Sequence, residues 1–282
     1  MKEAPEWQAQ QIASWNGNVG DYWVARQERL DEVLEPVGAA ATALAVPLRG
    51  ERVLDVGCGC GATAVMLAKA VGSEGHVTGL DISAPMLARA RERSIDIPQI
   101  DWVLADAATH EFTPRSFDLL FSRFGVMFFG DPVAAFTNLR RGLRPGGRLT
   151  FACWRSLVEN PWMHLPFRAA LNHVPPPPRP EQEEPGPFSF ADQDRVTRIL
   201  TVAGFAAPEF TRLEVTIDLA NGAGLEAAVQ QATEFGAARR VLENQPDAVR
   251  AAAREAIRIA LAPHVHDGTV SLPGAAWLVS SR

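Results

Sequence analysis

The segment from 53 to 61, Val-Leu-Asp-Val-Gly-Cys-Gly-Cys-Gly, constrains the fold of this chain more than any other. An apolar run ends in Asp55, three glycines follow at alternate positions, and apolar residues at helical spacing continue to Ala70. This order predicts a buried strand, a tight turn and a helix, which together form the nucleotide-binding unit of a doubly wound α/β sheet. Glycines permit positive φ and allow a ligand to approach the backbone closely.

The glycine spacing leaves two classes of ligand open. Gly57, Gly59 and Ala62 also satisfy the Gly-x-Gly-x-x-Gly/Ala pattern of NAD- and FAD-binding proteins. Asp55 favours another ligand, because its carboxylate would repel the pyrophosphate of a dinucleotide and attract a cationic ammonium group. S-adenosylmethionine (SAM) has such an ammonium group, together with a ribose and an adenine.

Two further acidic residues each follow a predicted strand. Asp81 ends the second strand, where its carboxylate could accept hydrogen bonds from both ribose hydroxyls, and Ile82 could lie against the adenine. NAD enzymes share that acid, so Asp81 indicates a nucleoside without choosing between the two ligands. Asp106, followed by Ala107, comes after the third strand and suits the adenine amino group, although an isolated aspartate is more often a loop acid or helix cap.

Later motifs complete a family pattern. The predicted fourth strand covers 117–124, Asp131 and Pro132 predict the start of a helix, and Leu-x-Pro-Gly-Gly within 143–149 predicts a turn into the fifth strand. In this order, residues 50–155 resemble class I SAM-dependent methyltransferases, most closely the small-molecule enzymes of the ubiquinone/menaquinone C-methyltransferase type. The resemblance implies a Rossmann-like, doubly wound, seven-stranded and mostly parallel sheet, with N-terminal helices and a helical insertion before the last strand.

The resemblance also implies SAM as the cofactor and a set of residues that contact it. These predicted cofactor residues are Asp55, Gly57, Cys58, Gly59, Asp81, Ile82, Asp106, Ala107 and Ser122. Two alternatives remain at this point. One is an NAD-type oxidoreductase, and the other is a non-catalytic SAM-binding protein, since a fold does not determine a function.

The sequence is less specific about the methyl acceptor. Enzymes that methylate DNA bases or glutamine side chains carry Asn/Asp-Pro-Pro-aromatic after the fourth strand, whereas this chain has Ser-Arg-Phe-Gly at 122–125. Aromatic and Met side chains suit a small apolar or aromatic acceptor, although core packing is the simpler explanation for some of them. The predicted acceptor-binding residues are Trp15, Trp23, Phe124, Met127, Phe128 and Trp162, and His164 is the candidate general base.

Composition limits the possible partners. A chain of 282 residues with a net charge of −6 lacks the basic surface expected of a nucleic-acid-binding protein. It has no apolar span of about 20 residues and no apolar leader, so we expect a soluble cytoplasmic protein without a membrane partner. The spacing of Cys58, Cys60 and Cys153 suits neither a disulfide framework nor a zinc site, so we expect no metal. The oligomeric state stays open.

Five segments are predicted along the chain. Residues 1–50 form an N-terminal helical lid, in which Pro36 interrupts the helical pattern, and 51–155 form the SAM-binding core. Residues 156–219 contain a connector loop with a semi-rigid proline run at 174–180, a helix and the sixth strand. A helical insertion covers 220–268, where two helices are expected over 225–242 and 248–261, and the final strand lies within 269–282.

Overall fold

The structure is a computed structural model that describes residues 4–177 and 184–282. The predicted proline-rich connector continues past 177, so its last three residues lie outside the described residues. The helices are α1 (Ala4–Trp15), α2 (Asn18–Ala25), α3 (Gln27–Ala45), α4 (Ala62–Val71), α5 (Ala84–Arg93), α6 (Pro132–Gly142), α7 (Pro161–Ala170), α8 (Gln193–Val202), α9 (Gly224–Glu234), α10 (Gly236–Leu242) and α11 (Asp247–Leu261). No helix within these ranges has both the length and the apolar character needed to cross a bilayer.

The strands form one sheet. They are β1 (Arg52–Val56), β2 (His76–Asp81), β3 (Ile100–Leu104), β4 (Phe117–Arg123), β5 (Leu143–Trp154), β6 (Glu209–Asp218), β7 (Val265–His266) and β8 (Thr269–Ser281). The order is β3-β2-β1-β4-β5-β8-β6, and the short β7 pairs with β8 in antiparallel fashion. Strands β1 to β5 pair in parallel. The predicted Rossmann-like α/β fold is confirmed, with β7 as an addition.

The strand order reverses between β1 and β4, because the chain runs outward through β2 and β3 and then returns to the other side of β1. In doubly wound sheets, ligands bind at such a reversal, beyond the carboxyl ends of the strands. The loops after β1, β2, β3 and β4 therefore converge on the region where a cofactor is expected.

The chain divides into two compact units. The described residues of 4–153, 184–213 and 277–282 form the first unit, and those of 154–177 and 214–276 form the second. The first unit contains the glycine-rich turn and the N-terminal helices. In the second unit, α7 packs against α9, α10 and α11. The five segments predicted from the sequence stay predictions.

Two local expectations were wrong. Pro36 does not interrupt the helical pattern, because α3 continues through it to Ala45. Proline removes one backbone hydrogen bond, but the apolar side of α3, including Leu34 and Val37, is buried and holds the helix together. The helix expected over 225–242 is two helices, because Phe235 is extended and Gly236 has φ of 70°.

Candidate cofactor site

The turn after β1 depends on three glycines with positive φ. Gly57, Gly59 and Gly61 have φ of 68°, 56° and 84°. Residues with a Cβ atom rarely adopt this backbone conformation. Gly57 also lies against the segment that follows β4, since a Cβ atom at this position would lie 2.7 Å from the Cα of Gly125. The sequence analysis missed Gly125, which allows the two loops to meet.

Asp55 is fully buried at the carboxyl end of β1, with an exposed fraction of 0%. Its Oδ2 accepts a hydrogen bond of 2.6 Å from the hydroxyl of Thr63 in α4. Its Oδ1 has no hydrogen-bond partner among the described residues. Burial raises the pKa of Asp55 to about 7, against the opposing effects of the Thr63 hydrogen bond and the charge of Arg123.

An unpaired buried acceptor is costly, so its presence calls for a partner. An ammonium group at Oδ1, reached directly or through one water molecule, would supply both a donor and the opposite charge. The unpaired oxygen of Asp55 therefore fits the ammonium group of SAM. This ammonium group is the feature by which the sequence favoured SAM over a dinucleotide.

Asp81 lies at the end of β2 and holds two loops together. Its Oδ2 accepts a hydrogen bond of 2.8 Å from the backbone N–H of Gly59, and its Oδ1 accepts one of 2.9 Å from that of Ser83. Burial raises the pKa of Asp81, and these backbone hydrogen bonds oppose the shift. Each carboxylate oxygen can accept a second hydrogen bond, so the predicted contact with the ribose remains compatible with this geometry.

Asp106, after β3, has the cap-like role that the sequence analysis gave as the alternative. Its Oδ1 accepts a hydrogen bond of 2.8 Å from the backbone N–H of Ala108. Its Oδ2 accepts one from the side-chain amide of Gln8 in α1. Ala107 beside it is buried. The predicted contacts of Asp106 and Ala107 with the adenine stay predictions.

The N-terminal helices are bonded to the loop between β2 and α5. The amide of Asn16 donates to the carbonyl of Ile82 at 2.9 Å and accepts from the N–H of Ala84 at the same distance. The hydroxyl of Ser83 donates to the carbonyl of Trp15 at 2.6 Å. Asn16 and Ser83 carry no recognisable motif, so the sequence analysis could not find these contacts.

Ser122 and Met127 have internal roles in the loop after β4. The hydroxyl of Ser122 accepts hydrogen bonds from the N–H groups of Gly125 and Val126, at 3.2 and 3.3 Å. Met127 is 1% exposed, and its carbonyl accepts a hydrogen bond from the hydroxyl of Ser189 at 2.7 Å. An acceptor could reach the Met127 side chain only if neighbouring groups moved.

Three of the predicted acceptor-binding residues form an aromatic cluster. The ring of Trp15 meets that of Phe128 edge-on at 5.4 Å, and it lies 6.4 Å from the ring of Trp23. Phe124 is nearly buried and has φ of 66°, an unusual value for a phenylalanine, in the same loop. The cluster joins α1 and α2 to the loop after β4.

The remaining two candidates lie in the second unit. Trp162 is buried, stacks on Phe235 at 5.7 Å and donates a hydrogen bond of 3.2 Å to the side chain of Asn160. His164 is half-buried in α7. Burial and the charge of Arg168 lower its pKa, which favours the neutral imidazole that a general base needs.

A charged cluster near the glycine turn was also missed. Arg93 of α5 pairs with Asp31 of α3 at 2.5 Å and donates to the carbonyl of Cys60 at 3.2 Å. These contacts join two helices to the turn. Arg123, at the end of β4, is influenced by the charges of Asp31 and Arg93. The sequence could have indicated it, because Arg123 is a charged residue at the end of an otherwise buried strand.

Comparison with known proteins decides between the two classes of ligand. Residues 53–147 match the family model described as a methyltransferase domain. The chain is 35% identical to the aklanonic acid methyltransferase DauC of Streptomyces sp. (strain C5) over 158 residues, which are 53% of this chain and 72% of that protein. The chain belongs to the class I SAM-dependent methyltransferases. Neither the NAD-type oxidoreductase nor the non-catalytic alternative finds support in these similarities.

Two further similarities agree with this assignment. The methyltransferase is 40% identical over 100 residues to a 2-phytyl-1,4-naphtoquinone methyltransferase of Thermosynechococcus vestitus, covering 36% of this chain and 44% of that enzyme. Its fold is similar to that of the YcgJ protein of Bacillus subtilis, with a TM-score of 0.56, 15% identity, and coverage of 86% of this chain and 97% of that one. The chain thus spans less than half the length of the naphthoquinone enzyme.

The cofactor of this methyltransferase is SAM, and the residues present fit it. Among the described residues, Asp55 offers a buried oxygen without a hydrogen-bond partner, and the glycine turn follows it with Gly57 partly exposed.

Proposed function

We propose that this methyltransferase transfers the methyl group of SAM to a small aromatic, quinone-like molecule. The observation that carries the proposal is the aromatic cluster of Trp15, Trp23 and Phe128, which joins the N-terminal helices to the loop after β4. A flat aromatic molecule is bound well by such side chains, through apolar contact and offset or edge-on ring packing. The name of the naphthoquinone methyltransferase supports the same class of acceptor.

The residues of the cofactor site would divide the recognition of SAM between them. Asp55 would bind the ammonium group, Asp81 the ribose hydroxyls and Asp106 the adenine amino group, while Gly57 and Gly59 allow close approach to the backbone. Bound SAM would supply a methyl group on a positively charged sulfur: an aligned nucleophile would take up the methyl group in line, and the sulfur would leave as a neutral thioether. The protein contributes mainly alignment and the exclusion of water, and alignment alone can lower such a barrier by roughly 7–11 kcal/mol in favourable cases.

A general base is needed only if the acceptor must lose a proton. His164 would fill this role, because its lowered pKa keeps the imidazole neutral at pH 7. We therefore expect His164→Gln to lower kcat for a phenolic acceptor and to leave SAM binding unchanged. An unchanged kcat in this variant would remove His164 from the mechanism.

The acceptor class can be tested with SAM labelled in the methyl group. Candidate acceptors are a hydroxynaphthoquinone, a simple phenol, a primary amine and a DNA oligonucleotide. We expect the label in the quinone and, more weakly, in the phenol. Label in the amine or the oligonucleotide alone would refute the proposal. A cytoplasmic location and the absence of nucleic-acid and membrane partners stay predictions.

Two adjacent phenylalanines provide a matched test of the aromatic cluster. Phe128 contacts Trp15, whereas Phe129 contacts the core residue Phe136 at 5.6 Å. Phe128→Ala should raise the KM for the acceptor about tenfold, the equivalent of about 1.4 kcal/mol, without a change in SAM affinity. Phe129→Ala should instead lower thermal stability with little effect on KM. Equal effects on KM in both variants would mean that the cluster is only structural.

A further inference from the structure

Arg123 and Asp55 lie on the same side of the sheet. In the parallel pairing of β1 with β4, Asp55 is opposite Phe121, and Arg123 follows Phe121 by two positions. Side chains two residues apart in a strand point to the same face. On this face, Thr63 of α4 contacts Asp55. A Cβ atom added to Gly38 of α3 would lie 3.5 Å from the Cδ of Arg123.

Arg123 has charged neighbours, but no described residue accepts a hydrogen bond from its guanidinium. Its electrostatic neighbours are Asp31, Asp55, Arg93 and Cys60. Within residues 4–177 and 184–282, the guanidinium makes no hydrogen bond. Asp31, whose charge acts on Arg123, is already paired with Arg93 at 2.5 Å. Arg123 keeps part of its surface exposed.

Within the described part of the chain, the site therefore contains one acidic and one basic side chain that both lack a full set of hydrogen-bond partners. The methionine end of SAM is a zwitterion, with an ammonium group and a carboxylate on the same carbon. We propose that Arg123 binds the carboxylate of the methionine moiety, beside the ammonium group that Asp55 binds. This inference rests on the proposed function. An arginine is suited to the task because its planar fork of N–H groups matches a carboxylate.

The same geometry has a simpler explanation, in which Arg123 only compensates the negative charges of Asp31 and Asp55. Both roles predict weaker SAM binding in an Arg123 variant, so SAM affinity alone does not separate them. Decarboxylated SAM separates them, because it keeps the ammonium group, ribose, adenine and sulfonium and lacks only the carboxylate. An indirect effect through Asp55 would weaken both ligands, whereas loss of a carboxylate contact would weaken SAM alone.

The experiment is calorimetric titration of the full chain with SAM and with decarboxylated SAM. We expect the unmodified protein to prefer SAM by about 10- to 100-fold, the range that one or two charge-assisted hydrogen bonds provide. Arg123→Gln should lose most of this preference, with a small effect on decarboxylated SAM. Arg123→Lys keeps the positive charge without the planar guanidinium, so it should retain part of the preference. It also provides a second test if Arg123→Gln fails to fold.

Arg93→Gln is the matched control, because Arg93 belongs to the same cluster but already has partners in Asp31 and Cys60. It should weaken both ligands by the same factor and leave the preference intact. The proposal is overturned if the two Arg123 variants also weaken both ligands equally, or if the unmodified protein shows no preference. If the unmodified protein binds neither ligand, the proposed function fails as well, and adenosine binding then shows whether any nucleoside site remains.

Discussion

The raised pKa of Asp55 predicts that cofactor binding depends on pH and releases a proton. Burial shifts this pKa from 3.8 to about 7, so the carboxyl group is largely protonated below pH 7 when the site has no ligand. An ammonium group binds the ionised form. Binding therefore displaces the proton, and affinity should rise with pH until Asp55 is ionised.

The magnitude follows from the pKa. S-adenosylhomocysteine has the same amino-acid end as SAM. If only the ionised form of Asp55 binds it, the Kd should rise about tenfold for each unit by which the pH falls below 7. The Kd should then be about 100-fold higher at pH 5 than at pH 7.5. The folded pKa exceeds the unfolded value, so the contribution of Asp55 to stability is present below pH 4 and lost as pH rises to 7. That loss is about 4 kcal/mol for a shift of this size.

The assay is calorimetry from pH 5 to 7.5 in buffers of different ionisation enthalpy, which counts the protons released. Asp55→Asn keeps the shape and removes the charge, so it should weaken S-adenosylhomocysteine at pH 7.5 and abolish the pH dependence that Asp55 causes. Adenosine lacks the ammonium group and should bind both proteins similarly. The pH dependence of adenosine binding also measures how much Asp81, whose pKa is raised as well, contributes to the pH dependence. If S-adenosylhomocysteine and adenosine weaken together in the variant, Asp55 is a structural residue and the reasoning is refuted.

Three further predictions concern the turn and the N-terminal helices. Gly57→Ala should lower the melting temperature and abolish SAM binding, because its Cβ would lie 2.7 Å from the Cα of Gly125; normal binding by a stable variant would contradict this. Asp81→Asn should weaken SAM and adenosine alike, by about 1.5–3 kcal/mol for each charge-assisted hydrogen bond lost, and unchanged affinity would remove Asp81 from the site. Hydrogen exchange should slow in 4–25 and in 224–261 when S-adenosylhomocysteine or acceptor binds, which would identify both segments as a lid. If hydrogen exchange slows only in 55–107, the two segments are structural and do not form a lid.

Local patterns in the sequence were sufficient for much of the architecture. A short apolar run that ends in closely spaced glycines favours a strand and a turn, and Asp131 followed by Pro132 favours a helix start. The structure has β1 ending at Val56 and α6 beginning at Pro132, with the side chain of Asp131 capping the helix. Because parallel strands bring their carboxyl ends to one edge, the order of the motifs also placed Asp55, Asp81 and Asp106 on that edge.

The partners of those side chains depend on contacts that no local pattern records. Gln8 bonds to Asp106 across 98 positions and Asn16 to Ile82 across 66, and either pair could have been formed by many other polar residues. The free oxygen of Asp55 is likewise a property of the packed structure, because it arises only when α4 and the turn exclude water. Arg123 was visible in the sequence as a charge at the end of a buried strand. Only the tertiary structure places it near the buried Asp55 and near Asp31, which is already paired with Arg93, and leaves its guanidinium without a hydrogen bond to any described residue.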